Sequence, residues 1–205
     1  MRAERFRWMR AWRGLFLMAS FGLLIASPAG AQEWWMGGSY GVTFPSGKTK
    51  TFTDNTSFRN FAFEARKVVN DNATVGTYIG WSVMDHKTTT TAEIENIAVT
   101  GEQYRYNNIF PLLLNAHYYL GEAGRARPYV GAGAGAYVWE RRLEIFTVAL
   151  TDYRWHFGFM PEAGVVLPVK WNTRAIVAAR YNYAFASGDQ PEQSYWQLSL
   201  GLGGW

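Results

Sequence analysis

The stretch that decides the fold is Arg174-Ala-Ile-Val-Ala-Ala-Arg-Tyr-Asn-Tyr-Ala-Phe185. Every second residue from Ala175 to Phe185 is apolar or aromatic, whereas the residues between them include Arg174, Arg180 and Asn182. A period of two residues is that of a β-strand, whose side chains point alternately to its two faces. The segment is therefore predicted to be a strand with one apolar and one polar face.

The same alternation recurs along the chain and predicts eight strands. They cover roughly 33–44, 57–68, 74–84, 106–120, 128–139, 154–167, 173–185 and 194–205. Pro111 and Pro161 lie inside two of these segments, where each removes a backbone donor, so bulges or different strand ends are expected there.

The connections between the predicted strands alternate in length. The short ones are 69–73, 121–127 and 168–172, and the long, polar ones are 45–56, 85–105, 140–153 and 186–193. The run Thr88 to Thr91 makes 85–105 strand-prone, so it is expected either as an adhesive β-ribbon or as a loop that extends the barrel wall. Short turns at one end and long loops at the other are typical of an up-and-down antiparallel barrel with an even number of strands. The sequence therefore predicts an all-β, closed barrel of eight antiparallel strands.

The composition of the polar faces favours a transmembrane barrel. Periodicity alone also allows a soluble, lipocalin-like carrier, whose apolar faces enclose an apolar ligand. A face in open water would be rich in Lys, Glu, Asp and Arg. Here the polar faces are mostly Gly, Ser, Asn, Gln, Tyr and Ala, and the charged residues concentrate in the connections. The apolar faces are therefore expected to meet lipid, with the soluble carrier as the alternative.

The first 31 residues have the features of an export signal. Five arginines precede an apolar run from Leu15 to Ser27, and Ala29-Gly-Ala31 matches an A-x-A cleavage site. A helix needs about 20 apolar residues to cross a bilayer, and this run is shorter. We expect a cleaved helical signal peptide over 1–31 and one barrel domain over 32–205.

Charge and cysteine content exclude several classes of function. The chain has 20 Lys and Arg against 16 Asp and Glu. Five of the basic residues and one acid lie in 1–31, so the remaining chain is formally neutral and no nucleic-acid partner is predicted. Cysteine is absent, which rules out disulfides, zinc-thiolate sites and a cysteine nucleophile.

Polar residues that share the inner faces are predicted to form a network in the lumen. Opposite charges enclosed at low dielectric must pair, because an unpaired buried charge is costly. The predicted members are Glu64, Arg66, His117, Glu162, Arg174, Arg180 and Gln197. A static network is favoured over a gate or proton path, since eight strands leave room for side chains and little else.

Aromatic residues near the ends of strands are predicted to lie at the membrane interface, which suits rings with a polar edge. They are Trp34, Tyr129, Tyr137, Trp139, Trp155, Tyr183 and Trp196.

Three runs carry a resemblance to a known family. They are Phe110-Pro-Leu-Leu-Leu-Asn-Ala-His-Tyr-Tyr-Leu-Gly121, Arg127-Pro-Tyr-Val-Gly-Ala-Gly-Ala-Gly-Ala-Tyr137 and Tyr195-Trp-Gln-Leu-Ser-Leu-Gly-Leu-Gly-Gly-Trp205. The chain from 32 to 205 resembles the small outer-membrane β-barrel domain family related to OmpX and the OmpA transmembrane domain. The resemblance implies location in the bacterial outer membrane.

The resemblance also implies that the terminal aromatic residue is an insertion signal read by the barrel insertion machinery. Trp205 stands where family members usually have Phe. Leu198, Leu200 and Leu202 occupy even positions and Trp205 an odd one, so either a bulge at 203–204 or a strand one residue short is expected.

No enzyme, cofactor or metal site is predicted. Gly131, Gly133 and Gly135 match a dinucleotide fingerprint, but a strand rather than a helix follows them, and they are interpreted as room for bulky neighbours in the lumen. The three histidines lack metal-ligand spacing. Asp85-His86 near Ser82 is the one arrangement that imitates the histidine site of lipid A-modifying barrels, and such an enzyme remains an alternative.

The predicted function is therefore structural, or a surface interaction or adhesion, carried by extracellular loops. The expected partners are outer-membrane lipids, lipopolysaccharide, the insertion machinery and an extracellular ligand bound by 45–56, 85–105 and 140–153. Lys48, Lys50, Arg141 and Arg142 are candidates for contacts with lipopolysaccharide phosphates.

Overall fold

The computed structural model describes residues 34–94, 97–122, 124–145, 148–170 and 172–204, with the side chains of 90–102 and 145–148 left out. The elements are β1 (Trp34–Ser46), α1 (Gly47–Phe52), β2 (Ser57–Asn70), β3 (Ala73–Ile94), β4 (Ile97–Tyr119), β5 (Arg127–Ile145), β6 (Val148–Lys170), β7 (Thr173–Ala184) and β8 (Gln193–Gly204). Each strand pairs with its neighbours in sequence, and β1 pairs antiparallel with β8. The predicted closed, eight-stranded, up-and-down barrel is confirmed.

The outer wall of the barrel is apolar and its interior is polar. Leu114, Val177 and Leu200 are exposed to 67%, 48% and 61% on the outside. Glu64 and Arg180 are buried inside. A soluble carrier needs the opposite arrangement, so that alternative does not fit, and an apolar wall of this kind matches a lipid environment. No helix in the described ranges is long and apolar enough to cross a membrane.

Four strands are longer than predicted, because the strand-prone connection 85–105 and the connection 140–153 are paired strands in their described residues. β3 and β4 pair without interruption from Ser82↔Ile109 to Ile94↔Ile97, and β5 and β6 pair as far as Ile145↔Val148. The run Thr88 to Thr91 is polar yet β-branched, and such residues suit a pleated surface. We call the strand segments within 85–105 and 140–153 the extension.

The two prolines inside strands interrupt pairing without shifting it. At Pro111 the paired residues skip from Ile79↔Leu112 to Ser82↔Ile109, and at Pro161 they skip from Phe159↔Tyr183 to Glu162↔Arg180. The register is the same on both sides of each gap, so the predicted bulges are wrong. Each strand continues past the missing donor because its ladder with β5 runs through the proline, as Pro111↔Tyr137 and Ala132↔Pro161.

The last strand is also regular. β8 pairs with β1 and β7 in unbroken register through Gly203 and Gly204, so of the two alternatives expected there the bulge is wrong. Trp205 and the predicted signal peptide 1–31 lie outside the described residues.

Candidate functional site

Five ionisable side chains meet inside the barrel. Glu64 and Arg66 are two residues apart on β2 and so point to the same face, and His117, Glu162 and Arg180 come from β4, β6 and β7. Two carboxylates and two guanidinium groups balance each other in this cluster, which we call the ionic cluster. Each of the five residues is almost completely buried.

Direct hydrogen bonds join the two carboxylates to the two guanidinium groups. Arg180 donates from Nε to Glu162 Oε2 at 2.8 Å and from Nη2 to Glu64 Oε1 at 2.5 Å. Arg66 donates from Nε to Glu64 Oε2 at 2.8 Å. His117 Nε2 lies 3.7 Å from Glu162 Oε2, near enough for charge interaction but too far for a hydrogen bond. The cluster is therefore a paired, static arrangement with the imidazole at its edge.

Polar side chains from other strands complete the cluster. Tyr129 donates its hydroxyl to Glu162, and Arg66 Nη1 donates to Tyr119 Oη at 2.8 Å. Gln197 donates to Asn60 Oδ1 at 2.9 Å and accepts from Tyr78, whose ring lies 5.1 Å from the Arg180 guanidinium. Hydrogen bonds thus reach across the lumen from β2 to β8.

One predicted member lies elsewhere. Arg174 shares the inner face of β7 with Arg180, but it precedes Arg180 by six residues, which is about 20 Å along a strand. It is half-buried and lines a cavity near the short-turn end of the barrel. Sharing a face therefore did not bring Arg174 into the ionic cluster.

Tyr129, Tyr137 and Trp139 are not at the membrane interface, and this part of the prediction is wrong. All three are buried in the lumen at 1% exposure or less. They have the same parity on β5 as Gly131 and Gly135, so the glycines and the rings share the inner face. The rings pack where the glycines leave room, and that parity was visible in the sequence.

The other four predicted interface aromatics lie on the outer wall. Trp34, Trp155 and Trp196 are exposed there, and Tyr183 is half-buried with its ring 5.3 Å from that of Phe159.

The connection 45–56 folds over the end of the lumen instead of projecting as a loop. The side chain of Thr49, on α1, donates to Gln193 Oε1 at 3.0 Å and accepts from the Ser194 amide at 2.9 Å. Thr53 accepts from Asn107 Nδ2 on β4 at 2.8 Å. Residues 47–53, which we call the mouth cap, are therefore fixed to β8 on one side and to β4 on the other.

Two arginines of the extension lie against the mouth cap. The guanidinium carbons of Arg105 and Arg141 are 5.6 and 5.1 Å from the centre of the Phe52 ring. Burial lowers the pKa of Arg141, and Asp152 partly offsets this effect. Arg142 points to the other face and pairs with Glu144 at 2.5 Å, while Lys48 and Lys50 on α1 are exposed. The predicted basic residues are thus split between the inner and outer surfaces.

Ser82, Asp85 and His86, which in the sequence resemble the histidine site of lipid A-modifying barrels, do not come together in the structure. Asp85 points to the opposite face of β3 from His86 and pairs with Arg59, and Ser82 is buried, where it accepts a hydrogen bond from Asn60.

A different set of partners surrounds His86. Its Nδ1 lies 2.5 Å from Asp54 Oδ1, and its Nε2 lies 2.5 Å from Thr88 Oγ1. Sequence reasoning missed Asp54 because it belongs to another connection. These contacts with Asp54 and Thr88 fasten the chain after the mouth cap to β3.

Comparison with known proteins identifies the family. The outer membrane protein β-barrel domain family matches residues 16–203. The structure of Neisserial surface protein A is 15% identical with a TM-score of 0.55, over 86% of this chain and 99% of that one. The N-terminal β-barrel domain of OprF from Pseudomonas aeruginosa is 17% identical with a TM-score of 0.51, over 84% and 97%. At these identities the two structures show a shared fold alone. No curated protein sequence matches the chain.

Proposed function

Because the chain belongs to the outer membrane protein β-barrel domain family, we propose that this bacterial outer-membrane barrel is a non-enzymatic surface protein that contacts its partners through the extension. In such barrels the short turns face the periplasm and the long connections face outside. We therefore place the extension and the mouth cap on the cell surface, where the extension can contact a partner or another cell.

The observation that carries the proposal is the length of the four middle strands. β3, β4, β5 and β6 have 22, 23, 19 and 23 residues, whereas the other strands have 12 to 14. A strand needs about 9–11 residues to cross the bilayer. About ten residues of each middle strand are thus available to project as a wall from one side of the barrel.

The projecting wall has two sheet edges. Among the described residues, β3 pairs with β2 no further than Val83, and β6 pairs with β7 no earlier than Gly158. Beyond those points each outer strand of the wall has a sheet partner on one side only, although Phe157 accepts a backbone hydrogen bond from Phe185 and Asp152 accepts a hydrogen bond from the Gln190 side chain. Exposed edges of this kind offer backbone donors and acceptors to a partner that adds a strand, which supports a role in adhesion.

The filled lumen supports a structural role rather than transport. The ionic cluster occupies the interior, and a cluster of buried apolar side chains that includes Tyr137 and Trp139 lies beyond it. The mouth cap then lies across the end. Eight strands leave an interior just wide enough for such side chains.

Shortening the extension tests the proposal. We would remove 88–103 and 142–151, whose end residues pair as Thr88↔Gln103 and Arg142↔Thr151, and close each strand pair with Asn-Gly. Cells producing the full-length protein should adhere to an immobilised extracellular-matrix protein or to each other, and cells producing equal amounts of the shortened barrel should not. Equal adherence of the two strains, at equal amounts of folded protein, would contradict the proposal.

The alternative of a lipid A-modifying enzyme has its own test. Mass spectra of lipid A should be identical in cells with the protein, without it, and with His86→Ala. A mass change that needs both the protein and His86 would replace our proposal with the enzyme, since His86 is the histidine of the extension that lies against a carboxylate and a hydroxyl.

Export and insertion belong to the same proposal. We expect signal peptidase to cleave after Ala31, so that mass spectrometry of the purified protein gives Gln32 as its first residue. We also expect deletion of Trp205 to reduce the folded barrel in the outer membrane, while Trp205→Phe preserves it. Lipopolysaccharide and membrane lipids are the proposed neighbours of the wall, with Lys48, Lys50 and Arg142 available to phosphates.

A further inference from the structure

A cavity of about 150 Å³ lies inside the barrel at the end that carries the short turns. Exposed Asn70 and Asp71 of the β2–β3 turn belong to its lining, so it opens toward the short turns. Four further lining residues, Trp35, Val68, Val166 and Ile176, give it an apolar wall. Arg127 and Arg174 supply two guanidinium groups, and Asp71 is the one carboxylate of the described lining.

Arg127 stands apart from the arginines of the ionic cluster. It is only 8% exposed, and its Nη2 donates to the backbone oxygen of Asp71 at 2.9 Å. Its Nε is buried and has no hydrogen-bond partner among the described residues, and no carboxylate there comes within ion-pair distance. A buried cationic donor in this condition is stabilised by an anion.

The surroundings of Arg127 fix it for such a contact. The Tyr119 ring lies 5.3 Å from its guanidinium carbon, and both residues line the cavity. A guanidinium presents parallel N–H groups that match the two oxygens of a carboxylate. The apolar wall calls for a hydrocarbon body on the same ligand, and a cavity of about 150 Å³ holds a molecule the size of benzene.

We propose that this cavity binds a small organic carboxylate with a compact apolar body, whose carboxylate accepts from Arg127 and whose body packs on Trp35 and Ile176. The site faces the periplasm, so it does not depend on the proposed role of the extension. Arg174 contributes a second positive charge to the lining.

Benzoate is the probe, and benzyl alcohol is its neutral counterpart of similar size. Binding to the folded full-length barrel in lipid nanodiscs is measured by saturation-transfer NMR. Benzoate should bind saturably and at least tenfold more tightly than benzyl alcohol, and Arg127→Gln should weaken benzoate at least tenfold. Arg125→Gln is the matched control, because Arg125 is exposed at the same end of the barrel and pairs with Glu122 at 3.6 Å.

Ile176→Phe keeps Arg127 and fills part of the cavity, so it should also weaken the binding of benzoate. This variant tests the proposal if Arg127→Gln does not fold. Absence of saturable binding, equal binding of the two probes, or benzoate binding that survives the variants that fold would each overturn the proposal.

Discussion

Each carboxylate of the ionic cluster contacts an arginine. Glu64 contacts Arg66 of its own strand and Arg180 of β7, and Glu162 contacts Arg180. Arg180 contacts both Glu64 and Glu162, so it joins β7 to β2 across the lumen and to its neighbour β6. The residues of this cluster could be predicted from parity along each strand, because inward positions recur every second residue. The level of each residue along the barrel axis could not be predicted. The sequence therefore puts Arg174 in one cluster with Arg180, although they lie six residues apart. The contact between His86 and Asp54 could not be predicted either, because Asp54 comes close to His86 only when the mouth cap has folded.

Removing two opposite charges of the cluster together should cost less stability than the sum of removing each alone. Arg180→Gln leaves the Glu64 and Glu162 carboxylates with one arginine between them, and a broken buried pair costs about 3–5 kcal/mol. Adding Glu162→Gln restores the balance of charge, so the double variant should lose less than the sum of the single losses. Urea unfolding in lipid vesicles measures the three variants, and strictly additive losses would argue against a coupled cluster.

Close packing against the backbone should make Gly135 intolerant of a side chain. A β-carbon there would lie 2.4 Å from the backbone oxygen of Leu112, whereas a β-carbon at Gly38 would meet nothing nearer than 3.8 Å. Gly135→Ala should therefore destabilise the barrel by about 1–3 kcal/mol, and Gly38→Ala should leave it unchanged. The urea midpoints of the two variants test this, and equal midpoints would contradict it.

Strand existence was readable from the sequence, but strand length was not. The regular apolar and polar alternation that marks a strand inside the membrane breaks down in the extension, where Thr88 to Thr91 are polar on both faces. In the extension the evidence for a strand is its pairing with a neighbouring strand, and this pairing cannot be seen in the sequence of one segment alone. The same limit applies to the mouth cap, since its short helix is held by Gln193 and Asn107, far along the chain from it.

The mouth cap should depend on the buried side chain of Thr49. Thr49→Val removes the two hydrogen bonds to β8 and should speed amide exchange across residues 47–53, with a loss of about 1 kcal/mol for each bond. Thr51→Val is the control, because that hydroxyl is exposed and bonds within the cap to Lys48. Hydrogen exchange followed by mass spectrometry compares the two, and equal exchange would show that β8 does not hold the cap.

The whole barrel inverts the usual arrangement of a water-soluble protein. Its wall carries Leu, Val and aromatic side chains, and its interior carries two buried arginines and two buried glutamates in contact. Closure of the sheet pairs the backbone of every strand on both sides through the membrane, which is the condition for crossing hydrocarbon with strands. The fold could be predicted because this condition produces an alternation of apolar and polar residues in every strand. The partner of the extension produces no such pattern in the sequence.

Site-directed spin labelling along β8 tests this inside-out arrangement most directly. The chain has no cysteine, so single cysteines introduced at 197 to 202 carry the only labels. Labels at 198, 200 and 202 should show high collision rates with oxygen dissolved in the bilayer, and labels at 197, 199 and 201 should show low rates. Lipid contact at 197, 199 and 201, or no alternation along the strand, would contradict a closed barrel with its apolar face in the membrane.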